Sequence, residues 1–163
     1  MADITHGTWT KDGKAVDAVY QDGRKVYGRN LVLGTSNQVV QANNWYMQVA
    51  DIKYDNSLGD NLCASVMINN SDHASDLIHG NSYIILMTFD SSGNVLASVS
   101  GNNISYNANG LSQCSISIND SASDIKAYID TNWMNLNTFY SCLKIEKGTV
   151  ATPYSPAPED ILK

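Results

Sequence analysis

The chain has 163 residues, of which 16% are charged and 43% hydrophobic, with a formal net charge of −6. That length fits one domain with short extensions. The densest basic stretch, Lys11 to Lys25, is interleaved with Asp12, Asp17 and Asp22, which argues against nucleic acid or an anionic membrane surface as partner. Few charges among many Asn, Ser, Gly and Thr predict a β-rich protein with a neutral, hydrogen-bonding surface, which suits sugars.

Residues 2–20 hold Asp3, Lys11, Asp12, Lys14 and Asp17 and no apolar core, so no signal peptide is expected. No segment reaches the roughly 18 apolar residues of a membrane span. Cys63, Cys114 and Cys142 cannot all pair and form no CxxC. Each sits in an apolar or alternating segment, so all three read as buried free thiols of a protein folded in a reducing cytosol.

Taken in chain order, the first 28 residues stand apart. Trp9 to Val16 and Val19 to Tyr27 are similar units, each with Asp-Gly between apolar residues. Asp-Gly favours tight hairpin turns. A small β-hairpin lead-in is expected over residues 1–28, with Trp9 packing. Asn30 to Leu33 then reads as a first strand and Trp45 to Ile52 as a mixed segment. Leu62 to Ile68 alternates, with Leu62, Ala64, Val66 and Ile68 on one face. Tyr83 to Phe89 and Val95 to Val99 flank a hairpin turn at Asp90-Ser-Ser-Gly-Asn94. Cys114 to Ile118, Ile125 to Ile129 and Phe139 to Ile145 alternate too. Period-two alternation means strands with one buried face. A helical turn is expected near Ala74 to Ile78. The fold class is therefore all-β, a β-sandwich of two antiparallel sheets. The sandwich spans residues 29–158, and residues 159–163 form an exit linker after the Pro-rich stretch Pro153 to Pro158.

Two segments carry a family likeness. Gly28-Arg-Asn-Leu-Val-Leu-Gly-Thr-Ser36 opens the sandwich. Leu143-Lys-Ile-Glu-Lys-Gly-Thr-Val-Ala-Thr-Pro-Tyr-Ser-Pro-Ala-Pro-Glu-Asp160 closes it. The pair resembles the signatures that bracket jelly-roll modules in tail, baseplate and distal-tail proteins of phages of lactic acid bacteria. Tyr154 stands where that pattern usually has Trp. The resemblance implies a non-catalytic carbohydrate-binding jelly roll that attaches a phage tail to host cell-surface polysaccharide. It also implies residence in the virion, synthesis in the host cytoplasm and other phage tail proteins as neighbours. The alternative is a purely structural tail domain that contacts other virion proteins. No cofactor is required on this reading, although related jelly rolls hold a structural calcium. Asp51, Asp55, Asp60, Asp120 and Asp124 offer oxygens for one, without calcium-loop spacing.

Sugar recognition needs aromatic faces and polar side chains for hydroxyls. If Ile125, Ala127 and Ile129 face the core, then Lys126, Tyr128 and Asp130 point outward. By the same phase, Tyr140 and Lys144 point outward from the last strand. Tyr128 and Tyr140 floor a groove if their strands share a sheet. Asn132 and Trp133 follow in a polar loop where a core does not need a Trp. Trp45 and Tyr46 are neighbours facing opposite ways, and Trp45 is expected to pack while Tyr46 faces out. The candidate sugar site is thus Tyr128, Trp133, Asp130, Asn132, Tyr140, Lys126 and Tyr46. The bland alternatives are surface tyrosines and a packed loop Trp. His73, Asp76 and His79 are spaced like metal ligands but lack a fourth partner, and read as a polar surface loop. No hydrolase motif is present, and Glu146 and Glu159, the two glutamates, both lie in the closing segment.

Overall fold

The computed structural model describes residues 3–5, 8–71, 79–134 and 136–162. β1 (Asp3–Thr5), β2 (Thr8–Lys11) and β3 (Lys14–Ala15) form a small antiparallel sheet in that order. β4 (Ala18–Gln21) and β5 (Arg24–Gly28) form a separate hairpin. In both turns the Asp and the Gly have positive φ: 53° and 73° at Asp12 and Gly13, 49° and 75° at Asp22 and Gly23. That pair of signs fits the twist of two-residue hairpin turns. The lead-in is therefore a three-stranded sheet followed by a hairpin, rather than one hairpin. Trp9 is half-buried there.

The sandwich comprises β6 (Val40–Gln41), β7 (Tyr46–Lys53), β8 (Asn61–Asn69), β9 (Asn81–Phe89), β10 (Val95–Ser100), β11 (Ile104–Ser105), β12 (Asn109–Ser117), β13 (Asp124–Asp130) and β14 (Phe139–Lys147). A short helix, α1 (Pro158–Ile161), follows. One sheet has the order β6-β14-β8-β12 and the other β7-β13-β9-β10, with β11 paired beside β9. The pairs nest: β6 with β14, β7 with β13, β8 with β12, β9 with β10. A chain folded once on itself and then rolled up has this pairing, which is a jelly roll.

The alternation seen in the sequence fills the core. Leu62, Ala64, Val66 and Ile68 from β8 meet Ile125, Ala127 and Ile129 from β13, with Ile84, Leu86, Ile116 and Ile145 completing one cluster. The β9–β10 turn is tied by Asp90, whose Oδ1 accepts from the amides of Ser92 at 2.9 Å and Asn94 at 2.8 Å. Its Oδ2 also accepts from the Asn94 side-chain amide at 2.9 Å, and that bond first, with the backbone ones, holds the Asp90 carboxyl below its usual range. Cys63 and Cys114 are buried in strands, whereas Cys142 is half-buried; all three are free thiols. The expected helical turn at Ala74 to Ile78 lies outside the described residues.

Two expectations fail, for related reasons. Asn30 to Leu33 is not a strand. Asn30 is buried and its amide serves as a knot. Its Nδ2 reaches Thr35 Oγ1 at 2.9 Å, the Leu143 carbonyl at 3.1 Å and the Ser155 carbonyl at 3.2 Å, and its Oδ1 accepts from Val32 N and Ile145 N. A buried amide must satisfy its groups, and here doing so replaces a ladder. The phase of β14 also breaks. Cys142 has φ of 57° at a bulge between Ser141 and Lys144. The extra residue switches faces, so Tyr140 packs against the core, opposite the Phe139–Ser141 phase read from the sequence.

Lys144 keeps its outward direction yet is completely buried, beneath the lead-in and the tail. Its Nζ lies 5.4 Å from the Tyr27 ring centre and donates to Thr152 Oγ1 at 2.9 Å and the Pro153 carbonyl at 2.8 Å. Glu146, also buried, pairs with Lys25 at 2.8 Å and Lys144 at 3.8 Å. The Thr152 hydroxyl donates to Glu146 and accepts from Gly28 N. A side chain at Gly28 would overlap the Glu146 carboxylate. Burial pulls the Lys144 ammonium down to about 8, against the opposing pull of Glu146. Outside this clasp, Arg29 pairs with Glu159, and Gly34 N donates to Asp160 Oδ2 at 2.8 Å. The opening and closing segments of the sandwich therefore grip each other.

Candidate functional site

The outer face of the β7-β13-β9-β10 sheet is built by register. Asp130 lies opposite Tyr46 on β7 and Tyr83 on β9; Tyr128 lies opposite Gln48 and Ile85; Lys126 lies opposite Asp51 and Met87. Ile125, Ala127 and Ile129 are fully buried, so the outward phase of Lys126, Tyr128 and Asp130 holds. The Tyr46 and Tyr128 rings stack, with centres 4.9 Å apart and planes at 20°. The Tyr128 hydroxyl donates to Gln48 Oε1 at 3.3 Å, and the Tyr83 hydroxyl donates to Asp130 Oδ2 at 3.1 Å. Burial, followed by the charges around it, pushes the Tyr46 and Tyr83 hydroxyls above their ordinary range. Lys126 lies 3.4 Å from Asp51 and over the Phe89 ring.

The end of this face is different. Asn43, Asn44, Trp45, Thr131, Asn132, Trp133 and Leu136 line a cleft of about 550 Å³, a size that suits small ligands. Trp133 is 80% exposed and Trp45 is 72% exposed. Trp45 is therefore exposed, contrary to the packed role expected from the sequence. It sits just before β7, where the strand phase does not reach, while Tyr46 faces out as expected. The side-chain amides of Asn43 and Asn132 make no hydrogen bond to the described residues, and an amide offers both donors and an acceptor.

The local sequence explains why the tryptophans stay out. Thr131 N donates to the Trp45 carbonyl at 2.7 Å, which carries the β7–β13 ladder one step further. Met134, fully buried, anchors the loop from below, and its N–H turns back onto the Thr131 carbonyl. Asn81 N donates to the Asn132 carbonyl at 2.9 Å. With its neighbours fixed, Trp133 adopts φ of 58°, and Leu136 φ of 61°. Left-handed backbone costs an L-residue about 1–2 kcal/mol. Strain that holds large apolar side chains in solvent is a pointer to a site. Gly80 makes the approach possible, because a methyl group there would overlap the Asn132 oxygen and the Trp133 carbonyl.

The expected site thus divides. Tyr46, Tyr128, Asp130 and Lys126 share one face, and Trp133 and Asn132 continue it at the loop end. Tyr140 does not join them: β13 and β14 lie in different sheets and Tyr140 turns inward. Trp45, Tyr83 and Leu136 are the additions. Trp45 carried the same signal as Trp133, a Trp directly after Asn in a polar loop.

Among the described residues, no group of three or more His, Cys, Asp or Glu is placed to hold a metal ion. Asp51, Asp55 and Asp124 are engaged with Lys126, Ser57 and Lys53. They do not gather into the oxygen cage that calcium needs. His73 and Asp76 lie outside the described residues, and His79 meets the edge of Tyr106 at 5.4 Å. Among the described residues, no helix is long and apolar enough to cross a membrane.

Comparison with protein-family models and with curated proteins gives no match. Among solved structures, a chain of infectious bursal disease virus, Gx strain, superposes with a TM-score of 0.40 at 12% identity. The overlap covers 85% of this chain and 43% of that one, so this chain spans less than half its length.

Proposed function

We propose that the chain is a non-catalytic carbohydrate-binding module that attaches a phage tail to host cell-wall polysaccharide. The Trp45–Trp133 cleft is its sugar subsite, and the Tyr46–Tyr128 face continues the path of the glycan. The observation that carries this reading is the pair of solvent-held tryptophans, beside asparagine amides with no partner among the described residues. Indole faces stack on the C–H face of a pyranose, and amides bridge its hydroxyls. The likeness of Gly28–Ser36 and Leu143–Asp160 to phage tail modules supplies the biological setting. Weak single-site affinity becomes firm adhesion through many copies on one tail.

The test is a fluorescent fusion of the chain added to cells of lactic acid bacteria. Surface labelling that purified cell-wall polysaccharide competes away is expected, with no reducing ends released. A panel of such hosts left unlabelled would sink the reading. A second reading, a structural domain contacting other tail proteins, draws on Val39, Val40, Met67 and Leu111, which are exposed on or beside the other sheet. It predicts no labelling by the isolated chain.

A further inference from the structure

We infer that the Trp45–Trp133 cleft takes an uncharged pyranose unit and rejects one that carries a phosphate or carboxylate. This inference rests on the carbohydrate-binding reading above. Its basis is the placement of charge around the cleft. All seven lining residues are neutral. The nearest charge along β13 is the Asp130 carboxylate, one residue before Thr131, and it is negative.

Among the described residues, the lysines and arginines lie elsewhere, and six of them are engaged with carboxylates. Lys126 is four residues from Asp130, about 13 Å along a strand, and sits beside Asp51. Lys53 is seven residues beyond Tyr46, about 23 Å, and is paired with Asp124. Lys25 and Lys144 are committed to Glu146, and Arg29 and Lys147 to Asp17. That group gathers where β14 ends at Lys147. The cleft loop enters β14 at Phe139, five residues or about 16 Å from Lys144, the nearest of the group along the strand. Lys11, Lys14 and Arg24 belong to the lead-in hairpins. The separations along β7, β13 and β14 each exceed a physiological Debye length of about 8 Å.

An anion bound between the indoles would therefore lose water without gaining a counter-charge. It would also meet the field of Asp130 and of a chain with net charge −6. A neutral ring loses little, because Asn43 and Asn132 replace water at its hydroxyls.

The experiment uses the full chain and ligand-observed NMR. The probes are glucose against glucuronic acid, galactose against galacturonic acid, and the neutral and anionic fractions of a digested cell-wall polysaccharide. The neutral member of a binding pair should bind at least tenfold more tightly, with no loss on raising salt. Trp133→Ala should reduce that binding at least tenfold. Tighter binding of the anionic member, or affinity that falls as salt rises, overturns the inference and leaves the carbohydrate reading standing. Binding of no probe, together with no cell labelling, overturns both.

Discussion

The two outer faces of the jelly roll put the same kinds of residue to opposite uses. On the β6-β14-β8-β12 sheet, the lead-in and the tail cover Lys144 and Glu146 and use their charges as an internal clasp. On the β7-β13-β9-β10 sheet, Tyr46 and Tyr128 stack in the open, and the face ends in two exposed tryptophans. Covered charge fastens chain segments together, and uncovered aromatic surface remains free to meet a ligand. A mutation should therefore damage stability on the first face and binding on the second.

Glu146→Ala tests the covered face and should have the largest effect. It leaves two ammonium groups beneath Tyr27 and the tail without their counter-charge. Breaking a buried pair costs about 3–5 kcal/mol, and urea unfolding measures the loss. A loss below about 1 kcal/mol, the range of an exposed pair, would show that the face is not sealed.

On the open face, Trp133→Ala should cost about 2 kcal/mol of binding, as a hot-spot residue does, while the unfolding midpoint holds or rises. The side chain makes little buried contact, and removing it does not remove the Met134 anchor. Trp45→Ala should behave alike. Equal damage to stability and binding would erase the contrast between the faces.

Gly80→Ala lies between the two classes. The methyl group must displace the Asn132–Trp133 backbone. Binding should fall severalfold with the fold retained, and the Trp133 indole signal should shift. Normal binding would show that the cleft tolerates a moved loop.

The smallest effect is a pH dependence between pH 8 and 10 from groups of the covered side and the core. Burial pushes the thiols of Cys63 up to about 11 and of Cys114 up to about 12, against 9.0 when unfolded. Above pH 9 the native state therefore holds more protons at these sites, and stability falls as pH rises. Lys144 acts oppositely. Its folded value near 8 lies below the 10.5 of the free side chain, so its contribution to stability rises between those limits. Stability should increase slightly from pH 8 to 9 and decline above 9. Cys114→Ala should flatten the decline, and urea titrations at stepped pH would show it.

The strands were readable in the sequence because burial on one face writes period two into β8, β12 and β13. What was not readable depended on side chains that act across the chain. Asn30 looks like the first residue of a strand until its amide is seen to knot Leu143, Ile145 and Ser155. Tyr140 and Lys144 sit in a well-patterned segment, but one bulge at Cys142 turns the first inward, and the lead-in hides the second. Trp45 was misplaced for a simpler reason. Alternation assigns faces only inside a strand, and β7 begins one residue later. Its Asn-rich loop was the better guide, as it was for Trp133.

The central claim is that the open face binds glycan through its two exposed tryptophans. The most direct test is the set of three indole N–H signals, from Trp9, Trp45 and Trp133, followed while purified cell-wall polysaccharide is added to isotope-labelled chain. The account predicts that the Trp45 and Trp133 signals move or broaden together and the Trp9 signal stays. Movement of Trp9 alone, or of none of the three under conditions in which cells are labelled, would contradict it.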